Sequence, residues 1–271
     1  MSDSKVFLVT GAASGIGLAL ARELSERGHR VLATDVNQDG LRQAHGDGVE
    51  TMSLDVRDAA RWDECIAHAK DRFGRLDVLC NVAGHLVAKW VHEMTPADVG
   101  LTIDVNVKGV MFGTNAAARV MIEQGGGHII NVASIAGLVP VPGLAAYSAS
   151  KHAVRAWSLA AAQELKAHGV YVTAVCPGPV DTPMLDAQVD HDEAALTFSA
   201  PRMLTAQEVV DAIMDRALVL RPMEVLVTVP RSGQAPMARL VGALPELGTW
   251  VRPIITRIGR HNQARARAKR R

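Results

Sequence analysis

The chain has 271 residues, of which 48% are hydrophobic, 4% are aromatic and 21% are charged, with a formal net charge of +1. This size and composition, with no Pro/Gly/Ser-rich linker, favour one α/β domain and exclude an array of small modules. The cysteines Cys65, Cys80 and Cys176 are odd in number and widely spaced, which indicates neither a disulfide framework nor a metal site. They are typical of reduced, buried thiols in a cytoplasmic protein.

Runs rich in β-branched residues alternate with amphipathic segments along most of the chain. The predicted strands are Val6–Thr10, Arg30–Thr34, Val49–Leu54, Leu76–Asn81, His128–Ala133, Val170–Val175 and Glu224–Val229. Helices are predicted near 15–28, 58–73, 96–123, 145–168 and 205–220. Several strands are nearly continuous runs of Val, Ile and Leu, as expected where helices cover both faces of a parallel sheet. The pattern predicts an α/β fold with a doubly wound, Rossmann-type parallel sheet of about seven strands.

The distribution of charge divides the chain into a body and a tail. Residues 231–271 hold ten Lys/Arg and one carboxylate, so the tail carries about +9 and residues 1–230 about −8. We therefore predict a single Rossmann-type domain over 1–230 and a basic, partly helical C-terminal extension with a disordered end. The N-terminus runs directly into a strand, which predicts no cleavable secretion signal. The uncharged segment 125–150 is long enough to span a bilayer, but its prolines and glycines favour a strand and a loop.

The first strand runs into a glycine-rich turn, Thr10-Gly11-Ala12-Ala13-Ser14-Gly15-Ile16-Gly17. Glycines permit a tight turn and bring backbone amides close to a pyrophosphate at a helix N-terminus. The spacing Gly-x-x-x-Gly-x-Gly departs from the general Gly-x-Gly-x-x-Gly fingerprint, so a tight turn without a ligand remains an alternative. On the dinucleotide interpretation, the residues at the cofactor are Gly11, Ser14, Gly15, Ile16 and Gly17.

Asp35 stands at the end of the second predicted strand, eighteen residues beyond Gly17. A carboxylate there accepts hydrogen bonds from an adenosine ribose and repels a 2′-phosphate. The glycine turn contains no Arg or Lys, and Val36 follows the acid, so nothing in the sequence compensates a phosphate. The sequence predicts NAD(H) in preference to NADP(H), although Asp35 alone is also explained as a loop carboxylate.

Tyr147 and Lys151 are four residues apart in a predicted helix, and Ser134 precedes Tyr147 by thirteen residues. Positions i and i+4 share a helix face, so the ammonium lies near the phenol and favours the phenolate. Ser134 follows a predicted strand and is expected at the carboxyl edge of the sheet, where open α/β folds bind ligands. Together the three side chains predict an acid/base site. Ser134 alone is also explained as a turn cap, and the Tyr-x-x-x-Lys spacing alone as chance.

With these motifs in this order, the chain resembles the compact single-domain branch of the short-chain dehydrogenase/reductase family over residues 5–230. The matching motifs are Thr10-Gly-x-x-x-Gly-Ile-Gly17, Asp55, Asn81-Val-Ala-Gly84, Asn106, Ser134, Tyr147-x-x-x-Lys151 and Pro177-Gly178. Val82 departs from the second asparagine that the family often has. The resemblance implies a metal-free oxidoreductase that interconverts a secondary alcohol and a ketone with a nicotinamide cofactor. It also implies a homo-oligomer, a dimer or tetramer, formed through the 96–123 and 145–168 helices.

The resemblance implies roles for individual residues. Tyr147 is expected to exchange the hydroxyl proton while hydride passes to or from the nicotinamide. Lys151, together with the oxidised nicotinamide, is expected to lower the pKa of Tyr147 and to bond the nicotinamide ribose, and Ser134 to orient the substrate oxygen. The other cofactor-binding residues implied are Asp55 and Val56 near adenine, Asn81, Ala83 and Gly84 in the cleft, and Pro177, with Val180 and Thr182 at the nicotinamide carboxamide.

Asn106 lies inside the helix predicted over 96–123, where asparagine is a mediocre helix former and asks for a reason. Two explanations remain open. One is a polar bridge in the core, and the other, which the resemblance implies, is a catalytic role in holding a water that connects Lys151 to solvent.

Three loops are expected to line the substrate pocket: His85–Trp90, Ile135–Leu144 and a lid over Met184–Met203. Because most of their side chains are apolar, the sequence favours a hydrophobic alcohol or ketone. His85 and His92 are interpreted as surface or hydrogen-bonded residues. His191 is interpreted as part of a solvated acidic lid and not as a metal ligand.

In the tail, apolar residues recur at intervals of three and four and mark one helical face. They are Leu240, Leu244, Leu247, Val251, Ile254 and Ile258. Pro245 and Pro253 are expected to break the helix into pieces. One explanation of the face is packing on the body or on a second subunit. The other, which adds Trp250 and the basic end, is a segment at residues 233–271 that lies on an anionic membrane and brings an enzyme to a lipid-like substrate.

Two further functional classes are weighed against an enzyme. A nucleotide-sensing regulator fits the same fold, but it has no need of Ser134, Tyr147 and Lys151. Nucleic-acid binding through the basic end is not expected, because the body is acidic and few aromatic residues lie among the basic ones.

Overall fold

The computed structural model describes residues 4–45 and 49–268, and its centre is a seven-stranded parallel sheet. The strands are β1 (Val6–Thr10), β2 (Arg30–Asp35), β3 (Glu50–Ser53), β4 (Val78–Asn81), β5 (Gly127–Val132), β6 (Val170–Pro177) and β7 (Glu224–Val227). Their order is β3-β2-β1-β4-β5-β6-β7, and every neighbouring pair is parallel. The predicted strands and the doubly wound topology are confirmed, with ends that differ by one or two residues.

Helices connect the strands and continue beyond the last one. They are α1 (Gly15–Glu26), α2 (Gln38–His45), α3 (Ala59–Phe73), α4 (Pro96–Ile103), α5 (Gly109–Glu123), α6 (Ala145–Leu165), α7 (Pro183–Asp186), α8 (Ala206–Ala212), α9 (Leu218–Leu220), α10 (Gln234–Ala243) and α11 (Pro245–Ala268). The sequence did not predict α2, because Leu41 is its one buried residue and a single leucine gives no apolar period.

The sheet is buried on both faces, as strand β1 illustrates. Phe7 and Val9 enter one hydrophobic cluster, whereas Val6 and Leu8 enter the other, because successive side chains of a strand point to opposite faces. The first cluster is covered by α1 and α8, and the second by α3, α5 and α6. Two buried faces explain why these strands are continuous apolar runs.

The strand order reverses between β1 and β4, which are neighbours in the sheet although two strands separate them in sequence. In open α/β sheets this reversal opens a crevice at the carboxyl ends of the strands, and ligands bind there. The glycine turn after β1 and the loop after β4 meet at this point. The topology therefore brings the two loops together at one edge.

The helix predicted over 96–123 is interrupted by a π-helical turn. Thr95 caps α4, since its Oγ1 accepts a hydrogen bond from Asp98 N at 3.2 Å. The π-helical turn then spans Asp104–Lys108 before α5 begins. Such turns inside α-helices are frequent at functional sites, and this one contains the candidate residue Asn106.

The tail forms two helices that pack on the body. Helix α11 crosses the 3-10 helix Asp192–Ser199, where Gly259 permits close approach, since a Cβ on it would lie 2.1 Å from Ala195 O. Gln263 Nε2 donates to His191 O at 2.7 Å. Pro245 begins α11, as its predicted break requires.

Pro253 lies inside α11, so the prediction that it breaks the helix is wrong. A proline in a helix interior removes one hydrogen bond, at a cost of about 3 kcal/mol, but hydrogen bonds from Asn262 and Gln263 to the segment 188–199 hold the following part of α11 on the body. Residues 269–271 lie outside the described residues, and the disorder expected of the chain end stays a prediction.

Gly259→Ala is expected to lower the free energy of unfolding by about 1–3 kcal/mol, because its methyl group would overlap a backbone oxygen. Gly100→Ala in α4 is the matched control, since no atom beyond its own helix lies within 4 Å of the added Cβ. That substitution is expected to raise the free energy of unfolding by about 0.5–1 kcal/mol. Equilibrium denaturation measures both variants, and equal values would contradict the close contact of α11.

Candidate active site

The glycine turn after β1 has the shape and polarity of a phosphate site. Gly11 and Gly15 have φ values of +68° and +55°, which favour glycine, and a Cβ on Gly17 would lie 2.2 Å from Gly11 O. Ser14 precedes α1 without a side-chain capping hydrogen bond, and no acidic residue stands in the first turn. The amides at this helix N-terminus are therefore left to bind an anion, as the pyrophosphate of a dinucleotide requires.

Thr10, the last residue of β1, ties this turn to the loop after β4. Its Oγ1 accepts hydrogen bonds from Val82 N and Ala83 N, both at 3.0 Å. The two loops are so close that a Cβ on Gly11 would lie 2.9 Å from Ala83 Cα. Thr10 belongs to the glycine-rich motif of the sequence, but no role was predicted for it. Its place at the end of a central strand, with a hydroxyl side chain, could have identified it from the sequence.

Asp35 ends β2 and faces the glycine turn. Its Oδ2 accepts a hydrogen bond from Ala13 N at 3.1 Å, and its Oδ1 accepts one from Asn37 N at 2.9 Å. The carboxylate is partly exposed, and Val36 beside it is 69% exposed. Asp35 thus presents negative charge next to the turn without a basic neighbour bonded to it among the described residues.

Asp55 and Val56 lie after β3, at the same edge of the sheet. The Asp55 carboxylate is held by Arg57, whose Nη2 donates to Oδ2 at 2.6 Å, and this hydrogen bond lowers the pKa of Asp55. Val56 is 8% exposed and packs against Gly109, while its carbonyl accepts from Trp62 Nε1 at 3.0 Å. These contacts fix the loop after β3, and the Asp55 carboxylate is already paired with Arg57.

Asn81 points away from the crevice. It is 2% exposed, and its Nδ2 donates to Asn131 Oδ1 on β5 at 2.8 Å. Asn131 in turn donates to Ser158 Oγ on α6 at 2.9 Å. The Asn81 side chain therefore joins β4 to β5 and α6, and its part in cofactor binding stays a prediction.

Ser134, Tyr147 and Lys151 meet at the ends of β5 and β6. Ser134 is 9% exposed, and its hydroxyl donates to Pro177 O at 3.4 Å. It also lies near enough to the Tyr147 phenol to act on the pKa of that group. Lys151 Nζ lies 5.6 Å from the centroid of the Tyr147 ring and donates to Val132 O at 2.9 Å. An ammonium has three donors, so this bond leaves two for other partners.

Ser134 is a turn cap as well as a member of this group. Its Oγ accepts a hydrogen bond from Ala136 N at 3.1 Å, which begins the 3-10 turn Ile135–Gly137. The two explanations of Ser134 are compatible, because the cap fixes the hydroxyl where Tyr147 reaches it.

Burial controls the protonation of both titratable groups. It lowers the pKa of Lys151 to about 8 and raises that of Tyr147 to about 12, although Ser134 acts in the opposite direction on Tyr147. The expectation that Lys151, together with the oxidised nicotinamide, lowers the pKa of Tyr147 stays a prediction.

Asn106 has the hydrogen bonds of a polar bridge. Its Nδ2 donates to His85 O at 2.8 Å and to Ser150 Oγ at 2.9 Å, and its Oδ1 accepts from His85 N at 2.7 Å. The loop at Gly84 passes between this amide and Lys151, since a Cβ on Gly84 would lie 3.6 Å from Asn106 Oδ1 and 3.8 Å from Lys151 Nζ. The bridge fixes the loop beside Lys151, and the water relay stays a prediction.

A cavity of about 740 Å³ opens beside Tyr147. The predicted site residues that line it are Ile16, Gly84, Ser134, Tyr147, Lys151, Pro177, Val180 and Thr182. Asp35, Asp55 and Val56 lie outside it, towards the β2 and β3 end of the crevice. The cavity therefore occupies the Tyr147 end of the crevice, away from Asp35.

The walls of the cavity are mostly apolar and only partly those predicted. The segment 135–144 and the lid 184–203 contribute many of them, but His85–Trp90 contributes Leu86 alone. The sequence analysis did not predict the wall from 234–255, where Met237 and Val241 of α10 and Val251 of α11 face the cavity. Periodicity identified an apolar helical face in the tail, but not the surface on which it lies.

The histidines outside this group differ in burial. Burial lowers the pKa of His85, whose Nε2 is buried without a hydrogen-bond partner among the described residues, and it stays neutral near pH 7. The side chain of His92 is 80% exposed and that of His191 is 50% exposed, so both face solvent as expected. In the described ranges, no group of three or more His, Cys, Asp or Glu side chains has an arrangement that would hold a metal ion. None of the helices there is both long and apolar enough to cross a membrane.

Known proteins resemble this chain in sequence and in structure. A family model described as short chain dehydrogenase matches residues 5–193. A 2-(R)-hydroxypropyl-CoM dehydrogenase of Xanthobacter autotrophicus is 35% identical over 225 residues, covering 78% of this chain and 90% of that protein. An uncharacterized oxidoreductase of Staphylococcus aureus is 35% identical over 214 residues, covering 78% and 89% respectively.

A solved structure shares the fold. The crystal structure of a short chain dehydrogenase/reductase from Burkholderia phymatum in complex with NAD gives a TM-score of 0.80 at 27% identity, covering 90% of this chain and 95% of that one. The family model and the relatives each match more than two thirds of the chain, and the resemblance seen in the motifs is thereby confirmed. The chain belongs to the short-chain dehydrogenase/reductase family of oxidoreductases.

Proposed function

We propose that the protein interconverts a hydrophobic secondary alcohol and the corresponding ketone with NAD(H), and that Tyr147 is its acid and base. The observation that carries this proposal is the meeting of the Tyr147 phenol, the Ser134 hydroxyl and the buried Lys151 ammonium at one end of an apolar cavity. The glycine turn with its uncapped helix N-terminus lies at the same sheet edge.

A bound nicotinamide dinucleotide supplies the hydride acceptor or donor and, when oxidised, a positive charge. Its pyrophosphate fits the amides at the start of α1, and Asp35 stands where an adenosine ribose is held. Ile16, Gly84, Val180 and Thr182 line the cavity between that turn and Tyr147, as residues at the nicotinamide end would. Thr182 also packs on the turn, since a Cβ on Gly15 would lie 3.3 Å from its methyl group.

Proton transfer is assigned to Tyr147. In the oxidising direction its Oη takes the proton of the substrate hydroxyl, and in the reducing direction it returns a proton to the carbonyl oxygen. Ser134, which lines the cavity with Tyr147, is assigned to hold the same substrate oxygen. Because burial raises the pKa of Tyr147 to about 12, the phenolate needs positive charge nearby, and Lys151 supplies it from the chain.

Lys151 and Asn106 keep this arrangement in place. The bond from Lys151 Nζ to Val132 O orients the ammonium, and its remaining donors are assigned to the nicotinamide ribose. Asn106 fixes the backbone at His85, so we assign it first to positioning the loop beside Lys151.

The wider setting of the enzyme is part of the proposal. The preference for NAD(H) rests on the unpaired charge of Asp35 beside exposed Val36. A cytoplasmic location agrees with three free, buried cysteines. Members of the family act on small molecules and are commonly oligomeric, and we expect a homo-oligomer through α5 and α6. The name of the Xanthobacter relative denotes a dehydrogenase of a hydroxypropyl compound, which agrees with oxidation of an alcohol.

Tyr147→Phe is expected to lower turnover by about 10²–10⁴-fold, because the ring remains and the proton donor is lost. Binding of NADH, followed by fluorescence titration, should not change. Tyr171→Phe is the matched control, since Tyr171 on β6 is the chain's other tyrosine and its ring lies under Arg221, outside the cavity. Full activity of Tyr147→Phe over a panel of alcohols and ketones would exclude the assignment.

Asp35→Asn is expected to reduce the preference for NADH over NADPH by about tenfold or more, since it removes a charge that repels the 2′-phosphate. The amide oxygen can still accept the bond from Ala13 N. Asp39→Asn is the control, because Asp39 lies four residues further along the chain, exposed in the first turn of α2, and this substitution should leave the preference unchanged. The ratio of kcat/KM values for the two cofactors measures the effect, and an unchanged ratio in Asp35→Asn would refute the role.

The burial of Lys151 predicts a pH dependence of stability. Its pKa falls from 10.5 in the unfolded chain to about 8 in the folded one, so the unfolded chain binds more protons between these values. The contribution of Lys151 to the free energy of unfolding therefore rises with pH in this window, by up to about 3 kcal/mol, because the penalty for the buried ammonium applies fully below the window and disappears above it.

Urea denaturation of the wild type and Lys151→Met at several pH values from about 7 to 10 tests this slope. The difference in stability should move in favour of the wild type as pH rises. Lys108→Met is the control, because the side chain of Lys108 is 56% exposed, and its difference from the wild type should be nearly constant. Parallel curves for the wild type and Lys151→Met would show that the ammonium is not buried. The raised pKa values of Tyr147 and of the buried thiols Cys65, Cys80 and Cys176 act in the opposite direction, the thiols from about pH 9, but the wild type and the variant share these groups.

A further inference from the structure

The two tail helices expose a set of large apolar side chains on the protein surface. We call this set the apolar rim, and it consists of Leu240, Leu247, Trp250, Val251, Ile254 and Ile258. Their exposed fractions run from 38% for Val251 to 81% for Trp250. Five of the six lie on α11 at spacings of three and four, so they form a continuous stripe along one face. Contiguous apolar surface of this kind marks an interaction site.

The rim is held in a fixed orientation by the opposite face of α11. Gly259 and Gln263 are buried against the segment 188–199, and Asn262 Nδ2 donates to Phe198 O at 3.0 Å. Arg267 Nε donates to Val189 O at 2.7 Å, and its Nη2 pairs with Asp192. These contacts anchor the polar side of the helix to the body, so the stripe cannot turn inward and be buried there.

The rim is also continuous with the mouth of the cavity. Val251 and Ile254 belong to both, since they line the cavity and are exposed to solvent. An apolar path therefore runs from the surface of α11 to the space beside Tyr147. A partner that covers the rim also covers the entrance to the candidate active site.

The charge around the rim is strongly positive. Helix α11 carries five arginines and one carboxylate, Glu246. Arg252, Arg257, Arg260 and Arg265 are all exposed, and none forms a salt bridge with any carboxylate in the described part of the chain. Arg267, in contrast, is paired with the body. These exposed arginines place positive charge beside the apolar rim, so the surface complements a partner that is both anionic and apolar.

We propose that the apolar rim docks on the surface of an anionic lipid bilayer, with the mouth of the cavity turned towards the lipid. Apolar side chains enter the boundary between headgroups and acyl chains, and the flanking arginines bind lipid phosphates. Trp250 has the amphipathic ring that is enriched at membrane interfaces. The helix lies on the membrane and does not cross it.

A second copy of the chain is a poorer occupant of the same surface. A twofold contact through α11 would be self-complementary in shape, but it would place the same unpaired arginines opposite each other. Like charges in an interface are unfavourable, and Glu246 alone does not neutralise them. The positive charge around the rim thus favours contact with an anionic surface and disfavours contact with a second copy of the chain.

The docked orientation has a consequence that rests on the proposed function. A membrane-dissolved alcohol or ketone would pass from the bilayer along the rim into the cavity without crossing bulk water. The substrate class is then an amphiphile whose carbinol or carbonyl group reaches Tyr147 while its apolar part fills the wall formed by 234–255.

Vesicle co-sedimentation of the full chain tests the docking without any substrate. The protein is expected to bind phosphatidylcholine vesicles that contain phosphatidylglycerol, to bind pure phosphatidylcholine much less, and to be released by salt. No binding to the anionic vesicles at low salt overturns the proposal. So does a concentration-dependent dimer, seen by light scattering, that substitutions in the rim abolish while vesicle binding is unchanged.

Two sets of variants separate the apolar and charged parts, and none of their residues lines the cavity. Leu247→Ser with Trp250→Ser is expected to weaken binding by about tenfold or more. Arg257→Gln with Arg260→Gln is expected to weaken it on the order of 25-fold, since each arginine near an anionic surface contributes about fivefold. Binding that survives the first pair unchanged would indicate adsorption by charge alone and would overturn docking through the rim.

Val219→Ser with Leu220→Ser is the matched control, because these residues of α9 are 68% and 71% exposed but lie outside the rim. Thermal melting and NADH binding establish that each variant folds. A protein that binds vesicles but oxidises no alcohol refutes the proposed function alone. A protein that is active on water-soluble alcohols but binds no vesicles refutes the docking alone.

Discussion

The site depends on one small polar contact at the point where the strand order reverses. Thr10 accepts hydrogen bonds from two successive amides of the loop after β4, and through them it sets the distance between that loop and the glycine turn. The backbones then approach so closely that Gly11 has no room for a side chain beside Ala83. Pairing of β1 with β4 sets the spacing of the strands, and this tie sets how closely the two loops beyond them approach. The amides of α1 are thereby held next to the loop that leads to Gly84 beside Lys151.

The buried ammonium of Lys151 lowers the stability of the folded chain and at the same time supplies a positive charge to the candidate site. Desolvation lowers its pKa to about 8, which means that the folded chain holds a charge that water would hold better. The carbonyl of Val132 compensates only part of this, and the Asn106 bridge keeps the nearby loop from relaxing around it. Such a desolvation cost is typical of active sites, where charged groups are held in position before the reaction begins.

The sequence predicted the sheet because both of its faces are buried, and a fully apolar strand leaves a strong signal. It also predicted the grouping of Ser134, Tyr147 and Lys151, since a strand end and an i, i+4 spacing locate them without knowledge of packing. The direction of the Asn81 side chain was not predictable in that way, because the partner Asn131 is fifty residues away. Helix α11 continues through Pro253 for a similar reason. Local propensity opposes it, and the contacts that outweigh this propensity come from distant residues 188–199.

The cavity draws its walls from parts of the chain that differ in how far the family likeness reaches. The match to the family model ends at residue 193, and it includes Ser134, Tyr147 and Lys151. Much of the wall facing them lies beyond that point, on α10 and α11, which reach the body through Gly242 against Leu138 and Gly259 against Ala195. The residues assigned to the proposed reaction and the part of the wall on α10 and α11 thus lie in separate stretches of sequence, although 135–144 joins the wall from within the matched region. On the proposed function, two members of the family that agree closely up to residue 193 can share a reaction and still accept different molecules, and their last forty residues are one place where that difference is encoded.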